Sequence, residues 1–358
     1  MNKSQVYNFS AGPAMLPKAV LLRAQAELLD WQGTGTSVME VSHRGAAFEN
    51  LAQTITANLR TLLHVPADYE VLFLAGGATV QFAMIPLNLL RGKSSADYLV
   101  TGHWSNKASE LARSYCNVNV VANAKVSNFT DIPSVDTWQC DPNAAYFHYA
   151  DNETIGGMEF NFIPAVGDVP LIVDASSNIL SRPIDVSRYG MIYAGAQKNI
   201  GIAGLTVVVV RRDLMGKALS HTPTVFNYAL QSELRSMANT PPTFAWYMTG
   251  LVLEWLMEQG GVEAIAKVNQ RKAEKLYTAI DASPFYCNVV QSTCRSRMNI
   301  PFTLARPELD AAFLKNAAEV GLVGLKGHAA VGGMRASLYN SMPEAGVDAL
   351  IAFMQAFQ

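Results

Sequence analysis

Short apolar runs rich in β-branched and aromatic residues recur along the first part of the chain. They fall at Val71–Leu74, Tyr98–Thr101, Tyr146–Tyr149, Leu171–Asp174, Met191–Ala194 and Leu205–Val210. Uninterrupted apolar runs of this length suit strands that are buried on both faces. Helix-like stretches such as Val80–Leu90 and Asn106–Tyr115 lie between several of them. This alternation predicts an α/β architecture with a mainly parallel sheet covered on both sides.

The pattern changes after Asn239-Thr-Pro-Pro242. Thr243–Gln259 is apolar nearly all round, with proline before it and Gly260-Gly261 after it, which are helix boundary signals. A more polar helix, Val262–Asp281, follows and carries Lys267, Arg271, Lys272, Glu274 and Lys275. From Ser283 the alternation restarts. Strands are expected at Phe285–Val290, Met298–Leu304, Leu322–Lys326 and Met334–Tyr339, with helices at Pro307–Val320 and from Pro343 onward. The restart predicts a second, smaller α/β domain, with the boundary between residues 265 and 285.

Composition narrows the function classes. The chain has 358 residues, 50% of them apolar and 16% charged, which suits a folded protein with a sizeable core. A net charge of −2, with no basic block, points away from nucleic acid. The 4 cysteines show neither CxxC pairing nor histidines at metal-ligand spacing, so reduced thiols and no metal are expected. No segment approaches the roughly 20 uncharged apolar residues that cross a bilayer, and the start shows no signal-peptide pattern. A soluble, cytoplasmic protein without a membrane partner is the expectation.

Candidate chemistry begins with Ile192-Tyr-Ala-Gly-Ala-Gln-Lys-Asn-Ile-Gly201. Lys198 stands there among small residues and amides. A lysine that loses solvation favours its neutral amine and becomes a nucleophile toward aldehydes. Asp174 ends the run Leu171–Asp174, where open α/β sheets place their ligands. A lysine that forms an imine, with a carboxylate for a protonated ring nitrogen, is what pyridoxal phosphate chemistry requires.

A phosphate cradle is available in Leu74-Ala-Gly-Gly-Ala-Thr79, where a glycine turn leads into a helix. The N–H groups of Ala78 and Thr79, with the Thr79 hydroxyl, would meet an anion there. The stretch lacks the GxGxxG pattern of dinucleotide sites. Trp104 and Thr154 also follow strands, and the tryptophan could stack on a ring. His43, Arg44 and Arg335 could bind carboxylate or phosphate, and His328 an anion. Each residue has a plainer reading too: Asp174 as a turn cap, Trp104 and His328 as core groups, the arginines in surface ion pairs.

Taken together, these stretches resemble the phosphoserine aminotransferase family, within the class V aminotransferases and the fold-type I pyridoxal phosphate enzymes. The likeness spans essentially the whole chain. It includes Asn8-Phe-Ser-Ala-Gly-Pro-Ala-Met-Leu-Pro17, Thr36–Gly45, Ser181–Gly190, Tyr193–Gly201, Phe226–Tyr247 and Gly332–Asn340. The resemblance implies a large cofactor-binding domain at 16–268 and a small C-terminal domain at 269–358, with segment 1–15 associated with the small one.

It also implies roles. Lys198 would form the imine with pyridoxal 5'-phosphate, Asp174 would pair with the ring nitrogen, and Trp104 would stack on the ring. Thr154 would sit near the ring hydroxyl. Ala78, Thr79 and Gln197 would hold the phosphate, and Asn239 and Thr240 would reach it from the neighbouring subunit of a homodimer. His43 and Arg44 would bind the substrate's distal acidic group and Arg335 its α-carboxylate, with Ser10 and His328 also at the substrate.

The implied activity is ping-pong transfer of the amino group of L-glutamate to 3-phosphohydroxypyruvate, in serine biosynthesis. A related phosphorylated four-carbon oxo-acid of pyridoxine biosynthesis belongs to the same expectation. One departure bears on substrate: Ala329 follows His328 where the family usually has arginine. The alternative is therefore a class V aminotransferase that prefers an unphosphorylated oxo-acid. Some members carry arginine at the position of Thr79, others a small hydroxyl residue. A cysteine desulfurase would need a cysteine near these residues, and none lies in such a loop.

Overall fold

A computed structural model describes residues 5–357. Among them a seven-stranded sheet runs in the spatial order Tyr69–Ala75, Leu205–Arg211, Met191–Gly195, Leu171–Asp174, Phe147–Ala150, Ser95–Val100, Asn117–Asn123. The last five are mutually parallel, and Leu205–Arg211 pairs antiparallel with both of its neighbours. Two antiparallel steps restore direction, so Tyr69–Ala75 points the same way as Met191–Gly195. The carboxyl ends at Ala75, Val100, Ala150, Asp174 and Gly195 therefore share one edge of the sheet.

Strand periodicity explains the burial on both faces. Val71, Phe73, Val207, Val209, Ile192 and Val173 enter one core, with Phe48, Ile55, Trp246 and Leu253 from the helices Ala46–Leu63 and Thr243–Glu258. Their neighbours Leu72, Leu74, Val208, Val210, Tyr193 and Ile172 enter the other, against Phe82, Ile85 and Ala108 of Ala78–Leu89 and His103–Ala112. The edge strand Asn117–Asn123 and the helices Lys18–Ala26 and Ala46–Leu63 were not apparent from the apolar runs. Asparagines at 117, 119 and 123 interrupt the edge strand's apolar pattern, because an edge strand is only half covered.

The C-terminal part holds a three-stranded antiparallel sheet of Tyr286–Cys287, Asn299–Leu304 and Met334–Ser337. Phe302, Phe313, Met334, Val347 and Leu350 pack a separate core beneath it. Two expected strands keep only two residues each. Asn288 turns the chain by accepting the Val290 N–H at 3.1 Å, so Phe285–Val290 keeps only Tyr286–Cys287 in the sheet. Gly324, at φ +77°, ends Leu322–Lys326 at Val323.

The helix Gly261–Asp281 belongs to both parts. Val262 and Ile265 enter the large core, whereas Ala273, Leu276 and Ile280 enter the small one. We propose the domain boundary at 268/269, inside this helix. Of the expected N-terminal segment 1–15, residues 1–4 lie outside the described residues. Tyr7 and Asn8 pair in parallel with Leu322 and Val323, and Phe9 enters the small core. Among the described residues no helix is long and apolar enough to cross a membrane, and no group of three acidic, histidine or cysteine side chains could hold a metal.

Candidate active site

Lys198 lies just past the strand Met191–Gly195, at the shared carboxyl edge, and only 8% of it is exposed. Its Nζ donates to Thr154 Oγ1 and to Ser177 Oγ, each at 2.8 Å, and the two hydroxyls lie 2.6 Å apart. Burial lowers the amine from the ordinary lysine value to about 8. The carboxylates of Asp174 and Glu153 oppose that shift, and the Arg335 guanidinium adds to it.

A cavity of about 110 Å³ opens beside the amine. Ala78, Thr79, Trp104, Thr154, Asp174 and Gln197 line it together with Lys198. Each ends or follows a strand at the same sheet edge, which is why residues spread over more than a hundred positions meet. Asp174 accepts the Ser176 N–H at 2.9 Å, and Ser176 Oγ accepts the Gly195 N–H at 3.0 Å, which ties the aspartate to the lysine-bearing turn. Trp104 stands in the first turn of His103–Ala112, a helix that begins earlier than the expected Asn106. The helix Ala78–Leu89 has no side-chain cap at Gly77, so its first amides stay free for an anion.

From the small domain, Arg335 comes close to Thr154 and Lys198 without lining this cavity. Its Nη1 donates to the Thr154 carbonyl at 3.4 Å, and its Nε is buried without a partner, a donor available to a ligand. Ser10 lies in the N-terminal segment, its N–H donating to Asn8 Oδ1 at 3.0 Å, and packs against Gly324. His328 is exposed, its ring centroid 5.6 Å from that of His103, whose ring is 5.4 Å from that of Trp104. Ala329 is exposed beside it.

Seven sequence candidates are not among the residues lining this cavity within one chain: Ser10, His328 and Arg335, and four more that stand apart from it. His43 and Arg44 line a different cavity of about 140 Å³ with Glu49, Leu234, Arg235 and Met237. Asn239 and Thr240 are exposed, and the Asn239 amide donates to the Thr240 carbonyl at 3.5 Å.

Several contacts escaped the sequence reading. Ser176 and Ser177 come two and three residues after Asp174, so the strand-end argument that singled out the aspartate could have found them. Gly12 had no comparable signal. A Cβ there would touch Lys198 Cγ and Gln197 Cγ at 3.5 Å, and Ala14 N–H donates to the Gln197 carbonyl at 2.9 Å. The N-terminal segment thus closes over the lysine.

A buried amine of lowered pKa, a carboxylate, an indole and an uncapped helix start meet the needs of pyridoxal phosphate: aldehyde, ring nitrogen, ring face and phosphate. Comparison with known proteins agrees. The family model described as "Aminotransferase class-V" matches residues 6–350. The chain is 56% identical to a protein named phosphoserine aminotransferase from Ectopseudomonas mendocina (strain ymp), over 99% of this chain and 98% of that one. It is 56% identical to another of that name from Acidithiobacillus ferrooxidans (strain ATCC 53993 / BNL-5-31), over 100% and 99%. Among solved structures, phosphoserine aminotransferase from Bacillus circulans subsp. alkalophilus superposes with a TM-score of 0.96 at 48% identity, covering 99% of this chain and 98% of that one. The pyridoxal phosphate-bound enzyme from Trichomonas vaginalis superposes with a TM-score of 0.95 at 44% identity, covering 98% and 100%.

Proposed function

The chain belongs to the class-V aminotransferases, and on that premise we infer that it transfers the amino group of L-glutamate to 3-phosphohydroxypyruvate. The products are 2-oxoglutarate and O-phospho-L-serine, a step of serine biosynthesis. The observation that carries this reading is the buried Lys198 amine, lowered to about 8, in one cavity with Asp174, Trp104 and Thr154. The alternative of an unphosphorylated oxo-acid is not favoured, because the likeness to enzymes of phosphoserine runs the full length of the chain despite Ala329.

Pyridoxal phosphate, when bound, supplies an electron-poor ring that stabilises negative charge at the substrate's Cα. The protein's part is positional and acid–base. We assign Asp174 to hold the protonated ring nitrogen, Trp104 to cover one ring face, and Thr154 to fix the ring hydroxyl. Ala78, Thr79 and Gln197 bind the phosphate at the helix start. Lys198 would hold the aldehyde carbon, and its free Nζ would move the proton at the substrate's Cα. A pKa of about 8 leaves a far larger share of that amine neutral than an ordinary lysine has, so it can act as a nucleophile and as a base. Arg335 grips the α-carboxylate, and Ser10 and His328 approach the substrate from the small domain and its N-terminal segment. One cavity serving both substrates in turn gives ping-pong kinetics.

His43, Arg44, Asn239 and Thr240 stand away from their own chain's cavity. We propose that they complete the site of a second copy in a homodimer, with His43 and Arg44 at the distal acidic group and Asn239 and Thr240 at the phosphate. Mixing Lys198→Ala subunits with Arg44→Ala subunits tests this, since hybrid dimers would regain one intact site. The substrates are small charged acids, which fits a cytoplasmic location.

The direct test follows visible absorbance of the cofactor-loaded protein. L-Glutamate should bleach the band, and 3-phosphohydroxypyruvate but not pyruvate should restore it. Equal restoration by pyruvate would remove the phosphate specificity, and no bleaching would remove the transaminase.

A further inference from the structure

Glu153 is a buried carboxylate, 1% exposed, that the chemistry above does not use. Its hydrogen bonds come entirely from the start of the helix His103–Ala112. Oε2 accepts the Trp104 N–H at 3.0 Å, and Oε1 accepts the Ser105 N–H at 2.8 Å and the Ser105 hydroxyl at 2.6 Å. The two main-chain N–H groups can only donate, so the ionised carboxylate is the form that fits them. Negative charge at a helix start is also favoured by the helix dipole. Burial raises the Glu153 pKa, and these same donors pull it back.

The capping group is thus supplied from the far side of the site. A helix start normally takes its side-chain cap from the residue before it. Here that residue is Gly102, and a Cβ on it would lie 2.4 Å from Glu153 Cδ and 2.6 Å from Oε2. Gly102 has no left-handed backbone, with φ 179°, so the requirement for glycine is one of space. The chain has made room for the glutamate.

The neighbours of Glu153 give this arrangement its meaning. Through its side chain Glu153 holds the backbone of Trp104, and through its peptide bond it precedes Thr154, which receives the Lys198 amine at 2.8 Å. We propose that Glu153 is a positioning residue for the transamination. It fixes the separation between the ring-covering Trp104 and the Lys198–Thr154 pair, and it places a carboxylate beside that amine. The proposal rests on the functional reading above. The lysine feels the charge: among the influences on its amine, burial lowers the pKa most, while Asp174 and Glu153 raise it.

The test is Glu153→Gln, the same shape with one acceptor oxygen replaced by an NH2 that faces donors. Two readouts matter besides turnover. One is the dissociation constant of pyridoxal phosphate from the apoprotein, followed by tryptophan fluorescence. The other is the pH midpoint for labelling Lys198 in the apoprotein with an amine-reactive reagent. Loss of one buried hydrogen bond to a charged group predicts about tenfold weaker cofactor binding. Loss of the charge predicts a Lys198 midpoint below that of wild type. Glu153→Asp should recover the midpoint more fully than the affinity, because it keeps the charge and shortens the reach.

A folded Glu153→Gln protein with unchanged affinity and midpoint would overturn the proposal and leave Glu153 as a helix cap. If that variant does not fold, Gly102→Ala carries the same test, since it displaces the carboxylate without removing it. Weakened cofactor binding in the folded Gly102→Ala protein supports the proposal, and wild-type binding overturns it. Wild-type protein that binds no cofactor would instead refute the functional reading itself, so the two failures are distinct.

Discussion

Asn199 Oδ1 accepts the Asn340 N–H at 3.0 Å, joining the residue after Lys198 to the segment that follows the Arg335 strand. The Asn199 amide also donates to the carbonyls of Ser177 and Ile179, each at 3.1 Å, and the Asn340 amide to that of Leu180 at 2.9 Å. Lys272 supports the same segment from the helix Gly261–Asp281. It donates to the carbonyls of Leu338, Tyr339 and Met342 at 2.9–3.0 Å. Burial pushes this lysine down, but three acceptors need three hydrogens, and only the ammonium has them.

Asn199→Ala should therefore loosen both stability and substrate grip. It strands the Asn340 N–H and two carbonyls in a buried setting, at a cost of about 2–3 kcal/mol. Urea unfolding measures that loss. The KM for L-glutamate should rise as the Arg335 strand loses its tie to the lysine loop.

Lys198→Ala should remove cofactor attachment. Borohydride treatment of the loaded wild-type protein should leave a cofactor-labelled peptide containing Lys198, and the variant should leave none. A label on another lysine, found by peptide mass spectrometry, would contradict the assignment.

Apoprotein stability should rise with pH because of the same amine. The folded-state value of about 8 lies below the ordinary 10.5, so across that window the unfolded chain binds more protons than the folded one. Stability attributable to Lys198 therefore grows between about pH 8 and 10.5 and is lowest below 8, with a span on the order of 3 kcal/mol. Urea titrations of wild type and Lys198→Met at pH 7 and pH 10 should diverge accordingly, with the pH-dependent gain smaller in the variant.

Gly12→Ala should slow cofactor uptake. Gly12 sits at φ +139°, and its Cα faces Lys198 and Gln197. A side chain there costs about 1–3 kcal/mol of backbone strain and presses on the lysine stem. The rate of absorbance recovery when cofactor is added to apoprotein reports it.

Ala329→Arg should lower the KM for 3-phosphohydroxypyruvate several-fold, because it adds a cation with bidentate reach beside His328. An unchanged or raised KM would show that the phosphate is already held by other groups.

Much of the site was legible because it obeys a local rule. Asp174, Lys198, Trp104, Thr154 and Ala78 each come soon after an apolar run, and an apolar run of four to seven residues reads as a buried strand whatever the rest of the chain does. Glu153 was hidden by the same logic: it stands between Asn152 and Thr154, and nothing local distinguishes a carboxylate that caps a distant helix from one that faces water. Gly12 was hidden because a close approach has no signature except the neighbour it approaches.

What the sequence by itself determined was six of the seven strands of the main sheet, their burial on two faces and the chemistry waiting at their ends, since side-chain period and apolar content are local properties. Which ends meet was decided only by the tertiary structure. The sheet order sets Tyr69–Ala75 beside Leu205–Arg211, and chain segments at both termini bring Gly12 and Arg335 to Lys198. Those contacts join residues more than a hundred positions apart. They depend on how the two cores pack, a free energy summed over many side chains that no short stretch contains.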